Sequence, residues 1–301
     1  ASVGVSLSGP GVSSANDLLR NADVAMYIAK GNGKNRVEAF EETMHHAVLD
    51  RLELEADLRR ALDRRELALQ YQPIVDLHTN ELTGVEALLR WNEPESGIVL
   101  PSRFIPILEE TGMILDVGRW ALAEAAEVHR KWKAAGLDSG RIAVNVSALQ
   151  LRQKDFVTIV EETTASADGE IGIDIEITET MLMQDITHSL SVLGAIRNLG
   201  VMIAIDDFGT GYSSLSYLAR LPIDYLKIDR SFINKIVDRS DDLEIASAII
   251  SMANSLSLKT IAEGVETREQ ADLLKALGCH QMQGYLISKP LPEEKVIELF
   301  S

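Results

Sequence analysis

The chain of 301 residues holds one cysteine, Cys279, which excludes an intrachain disulfide and a thiolate metal cluster and suits a reducing cytoplasm. Basic residues are also few: 29 Lys and Arg stand against 46 Asp and Glu, leaving a net charge of -17. Such a surface repels a polyanion, so broad binding of DNA or RNA is excluded. A small phosphorylated ligand would need local cations to neutralise both itself and the surrounding acids. No apolar run approaches the roughly 18 residues of a membrane span. The N-terminus lacks the basic stretch and apolar core of a secretory signal and reads as a cut. The expected location is cytoplasmic, with any membrane tether supplied by missing upstream segments.

The composition that remains, 46% hydrophobic and 25% charged, is that of an ordinary soluble domain. A length prior of roughly 150 residues per domain gives two domains, but α/β barrels of about 250 residues break that rule. One large domain plus a small piece fits best. Residues 1–40 are expected to hold a strand over Ala1 to Leu7 and an amphipathic helix over Asn16 to Lys30, stopped at Gly31-Asn32-Gly33. About 40 residues rarely make a stable core alone. Residues 41–65 read as a linking helix, with Met44, Val48, Leu52, Leu58 and Leu62 at helical spacing. His45 and His46 are adjacent and do not share a helix face, so they read as surface histidines.

Residues 66–301 alternate between strand and helix. Leu67 to Leu77 and Glu81 to Trp91 form a strand pair joined at His78-Thr79-Asn80, and helices follow over Pro101 to Glu110 and Leu115 to Ala135. Five short strands come next: Arg141 to Val146, Ile171 to Ile177, Val201 to Ile205, Tyr225 to Ile228 and Lys259 to Ala262. Their helices run near Ala148 to Ala165, Asp185 to Leu199, Ser213 to Leu221, Asp241 to Leu256 and Arg268 to Leu277. A last strand near Gln281 to Ile287 precedes a helix entered at Pro292. Eight strands with alternating helices predict an α/β fold, a modified (β/α)8 TIM-type barrel whose first two strands form an atypical pair.

In such barrels the site lies at the carboxyl ends of the strands. There the chain places Glu86 and Arg90, Asn145, Glu176 and Glu179, Asp206 and Asp207, Lys227 and Asp229, Glu263 and Glu266, and Gln283. Neighbouring strand residues point to opposite faces, so Asp206 and Asp207 serve one site only if the backbone leaves strand geometry there, which Gly209 and Gly211 make easy. Taken alone, that pair fits a helix cap beside a solvated acid equally well. Repetition on most strands favours a site, because so many converging carboxylates repel one another unless they bind cations. All the donors are oxygen, with no His or Cys at these ends, which points to Mg²⁺ or Mn²⁺. An aspartate such as Asp206 can bridge two ions, the arrangement that serves phosphodiester hydrolysis. Lys227 could instead form a Schiff base, but nearby carboxylates favour the charged ammonium. It is therefore assigned to the attacking water or a phosphate oxygen. His188 and His280 lie outside the pattern.

The motifs Glu86-Ala87-Leu88-Leu89-Arg90-Trp91, Val144-Asn145-Val146-Ser147, Glu176-Ile177-Thr178-Glu179, Asp206 to Ser214, Lys227-Ile228-Asp229, Glu263-Gly264-Val265-Glu266 and Gln283-Gly284-Tyr285 resemble, in order, those of the EAL-domain cyclic di-GMP phosphodiesterases. The likeness runs from about Leu54 to Ser301. It implies cyclic di-GMP as substrate and linear pGpG as product. It also implies that Glu86, Asn145, Glu176 and Asp206 hold one of two cations, Asp206 and Asp207 the second. Lys227 and Glu263 then orient or activate water, Glu179 steadies the loop after the Asp pair, and Gln72, Arg90 and Gln283 contact substrate. No motif position departs from the pattern, which favours an active enzyme over a catalytically silent receptor for the same nucleotide. The family often dimerises near the Phe208 to Tyr217 loop, so a homodimer is expected.

Ser2-Val3-Gly4-Val5, Leu18 to Lys30 and Gly33-Lys34-Asn35-Arg36 resemble the last part of a GGDEF (diguanylate cyclase-like) domain. The nucleotide-handling signature of that family lies upstream and is absent, so no cyclase activity is implied for this chain. The resemblance implies upstream GGDEF and sensory domains in the full-length protein.

Overall fold

The computed structural model describes residues 1–8, 14–31, 35–94, 97–137, 139–165, 171–210 and 218–300, without the side chains of residues 46, 47 and 184. It divides into two compact units, Ala1–Arg65 and Glu66–Ser301.

In the first unit, strands β1 (Val3–Val5) and β2 (Val37–Ala39) pair in parallel, with the helix Ala15–Gly31 as the crossover between them. Gly4 lets that helix lie flat on β1: a Cβ there would sit 2.0 Å from the Ala22 carbonyl oxygen and 2.2 Å from the Met26 nitrogen. The linking helix forms over Thr43–Ala61. His45 lies within hydrogen-bond distance of the Asn21 side chain and packs edge-on against Phe40, so it is a packed histidine. The side chain of His46 and residues 32 and 33 of the glycine stop lie outside the described residues; the helix reaches Gly31.

The second unit is built on strands β3 (Leu67–Asp76), β4 (Leu82–Glu93), β5 (Gly97–Val99), β6 (Arg141–Asn145), β7 (Ile173–Thr178), β8 (Ile203–Phe208), β9 (Tyr225–Ile228), β10 (Lys259–Ala262) and β11 (Gln281–Gln283). The sheet runs β3-β11-β10-β9-β8-β7-β6-β4 and closes through β4 onto β3, giving the expected eight-stranded barrel; β5 pairs with the end of β4. β3 is antiparallel to both its neighbours, β4 and β11. The reversal follows from the tight turn after it. The Asp76 carboxylate accepts from the amides of His78 (2.7 Å) and Thr79 (2.9 Å), and Asn80 takes the left-handed conformation, leaving no room for a crossover helix.

Alternation within the parallel strands separates two environments. Ile173, Ile175 and Ile177 of β7, Ile203 and Ile205 of β8, and Leu226 and Ile228 of β9 are buried in the core. The intervening residues face the barrel interior and carry the polar groups.

Several elements differ from the sequence reading. The helix expected over Ala148 to Ala165 is two helices, Ala148–Leu151 and Phe156–Thr164. The first is locked by a capping box between Ser147 and Gln150, and the intervening Arg152-Gln153-Lys154-Asp155 offers nothing apolar to bury. β8 runs on through Asp206 and Asp207 to Phe208, which pairs with Ile228 across a bulge. β11 ends at Gln283, before Ile287. The helix expected over Ser213 to Leu221 and the Phe208 to Tyr217 loop fall largely on residues 211–217, outside the described residues. No helix is long and apolar enough to cross a membrane among those described.

Candidate active site

The cluster centres on Lys227, a wholly buried lysine on β9. Its Nζ lies 2.6 Å from Glu176 Oε2, 2.7 Å from Glu263 Oε1, 3.1 Å from Glu86 Oε2 and 3.4 Å from Asp206 Oδ1. Glu176 comes from β7, Asp206 from β8 and Glu263 from the residue after β10. Glu86 stands in the middle of β4, opposite Gln72, and lies level with the end of the barrel because β4, with β3 beside it, continues well beyond β6.

One ammonium among four carboxylates leaves a large excess of negative charge in a buried space. Burial, the largest influence on Lys227, works against its charge, but Asp206, Glu176, Glu263 and Glu86 together outweigh it and hold the amine well above the ordinary lysine range. Among the acids the conflict resolves unevenly. Burial, then Glu86 and Asp206, drive Glu176 well above the usual carboxylate range despite Lys227. Burial pushes Glu263 up to about 8 against the pull of Lys227, with Asp206 and Glu86 adding to the rise. Glu86 is held low: the opposing burial is overcome by Lys227 and by hydrogen bonds from Gln283 (2.6 Å) and Asn145 (2.6 Å). A neutral amine for Schiff-base chemistry is therefore unavailable at Lys227.

The Asp206-Asp207 pair departs from strand geometry as the chemistry requires, beginning at Asp207 itself and continuing at Gly209; Gly211 lies outside the described residues. Asp207 itself takes the left-handed conformation (φ 53°), at the bulge, and Gly209 follows at φ 100°. Asp207's amide donates to Asp206 Oδ1 at 3.0 Å. Burial, then Asp206 and Asp229, raise the Asp207 carboxyl. Glu179, buried at the start of the helix Glu179–Gln184, accepts from the Gly209 amide at 3.1 Å and so ties down the chain after the pair. Asp229 takes the role of a cap: it accepts from the Ser231 amide at 3.0 Å at the start of the turn Arg230–Ile233.

Carboxylate oxygens of Glu86, Glu176 and Asp206 lie within 4.8 Å of one another, as do those of Asp206, Asp207 and Glu263, so the two groups share Asp206. All are hard oxygen donors, and Glu176 Oε1 is buried with no hydrogen-bond partner. The residues fit an oxygen-preferring divalent cation.

A cleft of about 310 Å³ opens over the cluster, with Gln72, Glu86, Asp206, Glu263, Glu266 and Gln283 in its walls. Gln283 bridges Gln72 (3.0 Å) and Glu86, and Gln72 donates to the Ser288 carbonyl at 3.2 Å. Arg90 is not among the wall residues; it is held by Gln70 Oε1 (3.0 Å) and the Leu89 carbonyl (2.9 Å). Arg230, Asn234 and Leu88 also line the cleft, and the sequence reading passed over all three. Arg230 was legible as the second residue beyond the β9 strand end, where barrel sites are built. His188 meets the Leu151 carbonyl and His280 meets Thr260, so both are structural.

A family model described as the EAL domain matches residues 55–290. The bifunctional diguanylate cyclase/cyclic di-GMP phosphodiesterase MucR of Pseudomonas aeruginosa is 44% identical over 298 residues, covering 99% of this chain and 44% of that protein. The cyclic di-GMP phosphodiesterase NbdA of the same organism is 43% identical over 293 residues, covering 97% of this chain and 37% of that protein. The chain thus spans less than half the length of either relative. Among solved structures, the PaMucR phosphodiesterase complex with c-di-GMP superposes with a TM-score of 0.77 at 45% identity, over 81% of this chain and 99% of that one. The EAL domain of Mycobacterium smegmatis DcpA gives 0.63 at 35% identity, over 77% and 94%.

Proposed function

The chain belongs to the EAL domain family, and on that premise we propose that it hydrolyses cyclic di-GMP to linear pGpG in bacterial second-messenger signalling. The observation that carries the proposal is the buried Lys227 ringed by four carboxylates, in two groups that share Asp206.

Glu86, Asn145, Glu176 and Asp206 would hold one Mg²⁺ or Mn²⁺ ion, and Asp206 and Asp207 a second, with Glu263 beside the latter. Bound there, such ions lower the pKa of water and neutralise charge on the phosphoryl oxygens. Lys227 keeps its proton and donates hydrogen bonds, so it orients the attacking water or a phosphate oxygen through Nζ. Glu263, 2.7 Å from that Nζ, would be held ionised by cations bound beside it and so accept the proton water loses as its oxygen bonds to phosphorus. The ester bond to the sugar oxygen breaks, and that oxygen leaves with the bonding pair and takes a proton from solvent to become a hydroxyl of pGpG. Gln72 and Gln283 fix the cleft wall against the nucleotide; Arg90, outside that wall, would contact it only on leaving Gln70. Glu179 holds the Gly209 turn that follows Asp207.

We read residues 1–40 as the end of a GGDEF-like domain, in a cytoplasmic protein whose GGDEF and sensory domains lie upstream and which works as a homodimer. The decisive assay incubates the protein with cyclic di-GMP and Mg²⁺ or Mn²⁺ and follows pGpG by chromatography. Linear product that disappears with chelator is the expected result; no turnover with either metal overturns the proposal.

A further inference from the structure

Beneath the carboxylate cluster the barrel is not filled. Side chains two residues apart share a face, so each residue of the cluster has an inward neighbour one step toward the base. Gly84 lies there under Glu86, Ala143 under Asn145 and Ala204 under Asp206. Barrel interiors ordinarily carry bulky branched side chains at such levels. Three small residues instead leave a chamber of about 270 Å³, partly open at the base of the barrel. Its base carries the Arg141–Asp174 ion pair (2.9 Å), with Arg141 also donating to the carbonyls of Ile173 and Gly200.

The chamber collects polar groups that the protein leaves unmet. Gln281, on β11 and 7% exposed, lines it, and its side-chain amide has no hydrogen-bond partner among the described residues. Arg141 Nε is buried without a partner, as is Glu176 Oε1. Glu176 is in the wall of this chamber and not among the residues lining the cleft. A dry cavity is apolar, whereas buried polar groups without protein partners are met by ordered water, and the space holds several molecules at about 30 Å³ each.

We infer that the chamber holds ordered water, anchored by the Gln281 amide and Arg141 Nε–H, that hydrogen-bonds Glu176 Oε1 and fixes that carboxyl group from below. Gln281 is then a positioning residue acting on Glu176 through water. Lys227 holds Oε2 at 2.6 Å and the water holds Oε1. Each oxygen has two lone pairs, so the carboxylate keeps acceptor capacity for a cation. The inference rests on the reading of Glu176 as a cation ligand.

The test measures Mn²⁺ binding by calorimetry without nucleotide, alongside turnover and melting temperature. Gln281→Leu keeps similar volume and removes the amide; the expected result is about tenfold weaker Mn²⁺ binding, with kcat at saturating Mn²⁺ within about twofold of wild type. Gln281→Asn recovers much of the affinity, because one further water spans the missing methylene. Ala143→Val occupies the chamber without touching Gln281 and weakens Mn²⁺ in the same way, which keeps the test open if the leucine variant fails to fold. Gln281→Leu or Ala143→Val with wild-type Mn²⁺ affinity and a raised melting temperature identifies a dry gap and overturns the inference. Wild-type protein that binds Mn²⁺ but leaves cyclic di-GMP intact sinks the hydrolase reading alone, and the variant comparison still decides. Absence of Mn²⁺ binding in wild type overturns both.

Discussion

At the cleft end the barrel strands present Glu86, Glu176, Asp206 and Lys227 to the interior, with Glu263 just beyond, and at the base the same strands present Gly84, Asp174, Ala204, Tyr225 and Ile261. The cleft end gathers four carboxylates around one ammonium and cannot satisfy them. At the base one carboxylate, Asp174, meets one guanidinium, Arg141, and also accepts from the Met202 amide at 2.9 Å. Two residues along a strand thus separate a site that gives up stability to hold charge from a layer whose one acid is paired and whose small residues leave the chamber. Chemistry and support divide along the strand axis, as in other barrels of this type.

The sharpest way to break that division is to remove a cleft acid. Glu86→Ala takes away the residue that Asn145, Gln283 and Lys227 all contact, and turnover of cyclic di-GMP should be abolished in the chromatographic assay while the circular dichroism of the barrel is retained. Full activity would show that the site is misassigned. Lys227→Ala comes next. Loss of a hydrogen-bond donor that orients the reacting water should lower kcat by about 10²- to 10³-fold, more than it changes nucleotide binding, as steady-state kinetics against titration binding will show.

The smallest effect belongs to the base. Burial raises Asp174 from 3.8 to about 7, with Asp224 adding to it and Arg141 and the Met202 amide opposing. The folded chain therefore keeps a proton that the unfolded chain releases near 3.8, and this group's contribution to stability falls as pH rises from about 4 to about 7. Asp174→Asn is neutral throughout, so its melting temperature should change less with pH across that window, with turnover at the wild-type level. An unchanged pH profile, or lost turnover, would blur the distinction between the two ends.

The sequence reveals most of the frame, because parallel barrel strands keep an unbroken apolar face toward the core: Ile173, Ile175 and Ile177 mark β7 unmistakably. It conveys less where geometry is set by a few hydrogen bonds. The three-residue edge strand β5 has no periodicity to detect, and the break at Arg152 to Asp155 rests on a capping box rather than on glycine or proline. At the site, the strand-end acids are legible one by one, since barrels build there. Their convergence on Lys227 is not, because it depends on strand stagger: Glu86 pairs with Ala143, whereas Asn145 pairs with Glu176. The glycines mark the left-handed turn only in part: Gly209 takes a positive φ, Gly211 lies outside the described residues, and the first left-handed residue is Asp207, a conformation Asn and Asp adopt more readily than other non-glycine residues.

The reversal of β3 decides where the polypeptide enters this machine. Leu67 pairs with Trp91 toward the cleft end, and Asp76 pairs with Gln281 at the base, so the chain arrives at the rim and descends past Gln72. In an ordinary barrel the first strand would climb from the far end. Here the backbone enters at the same end as the chemistry, so the residue that opens the barrel, Leu67, begins the strand that carries Gln72.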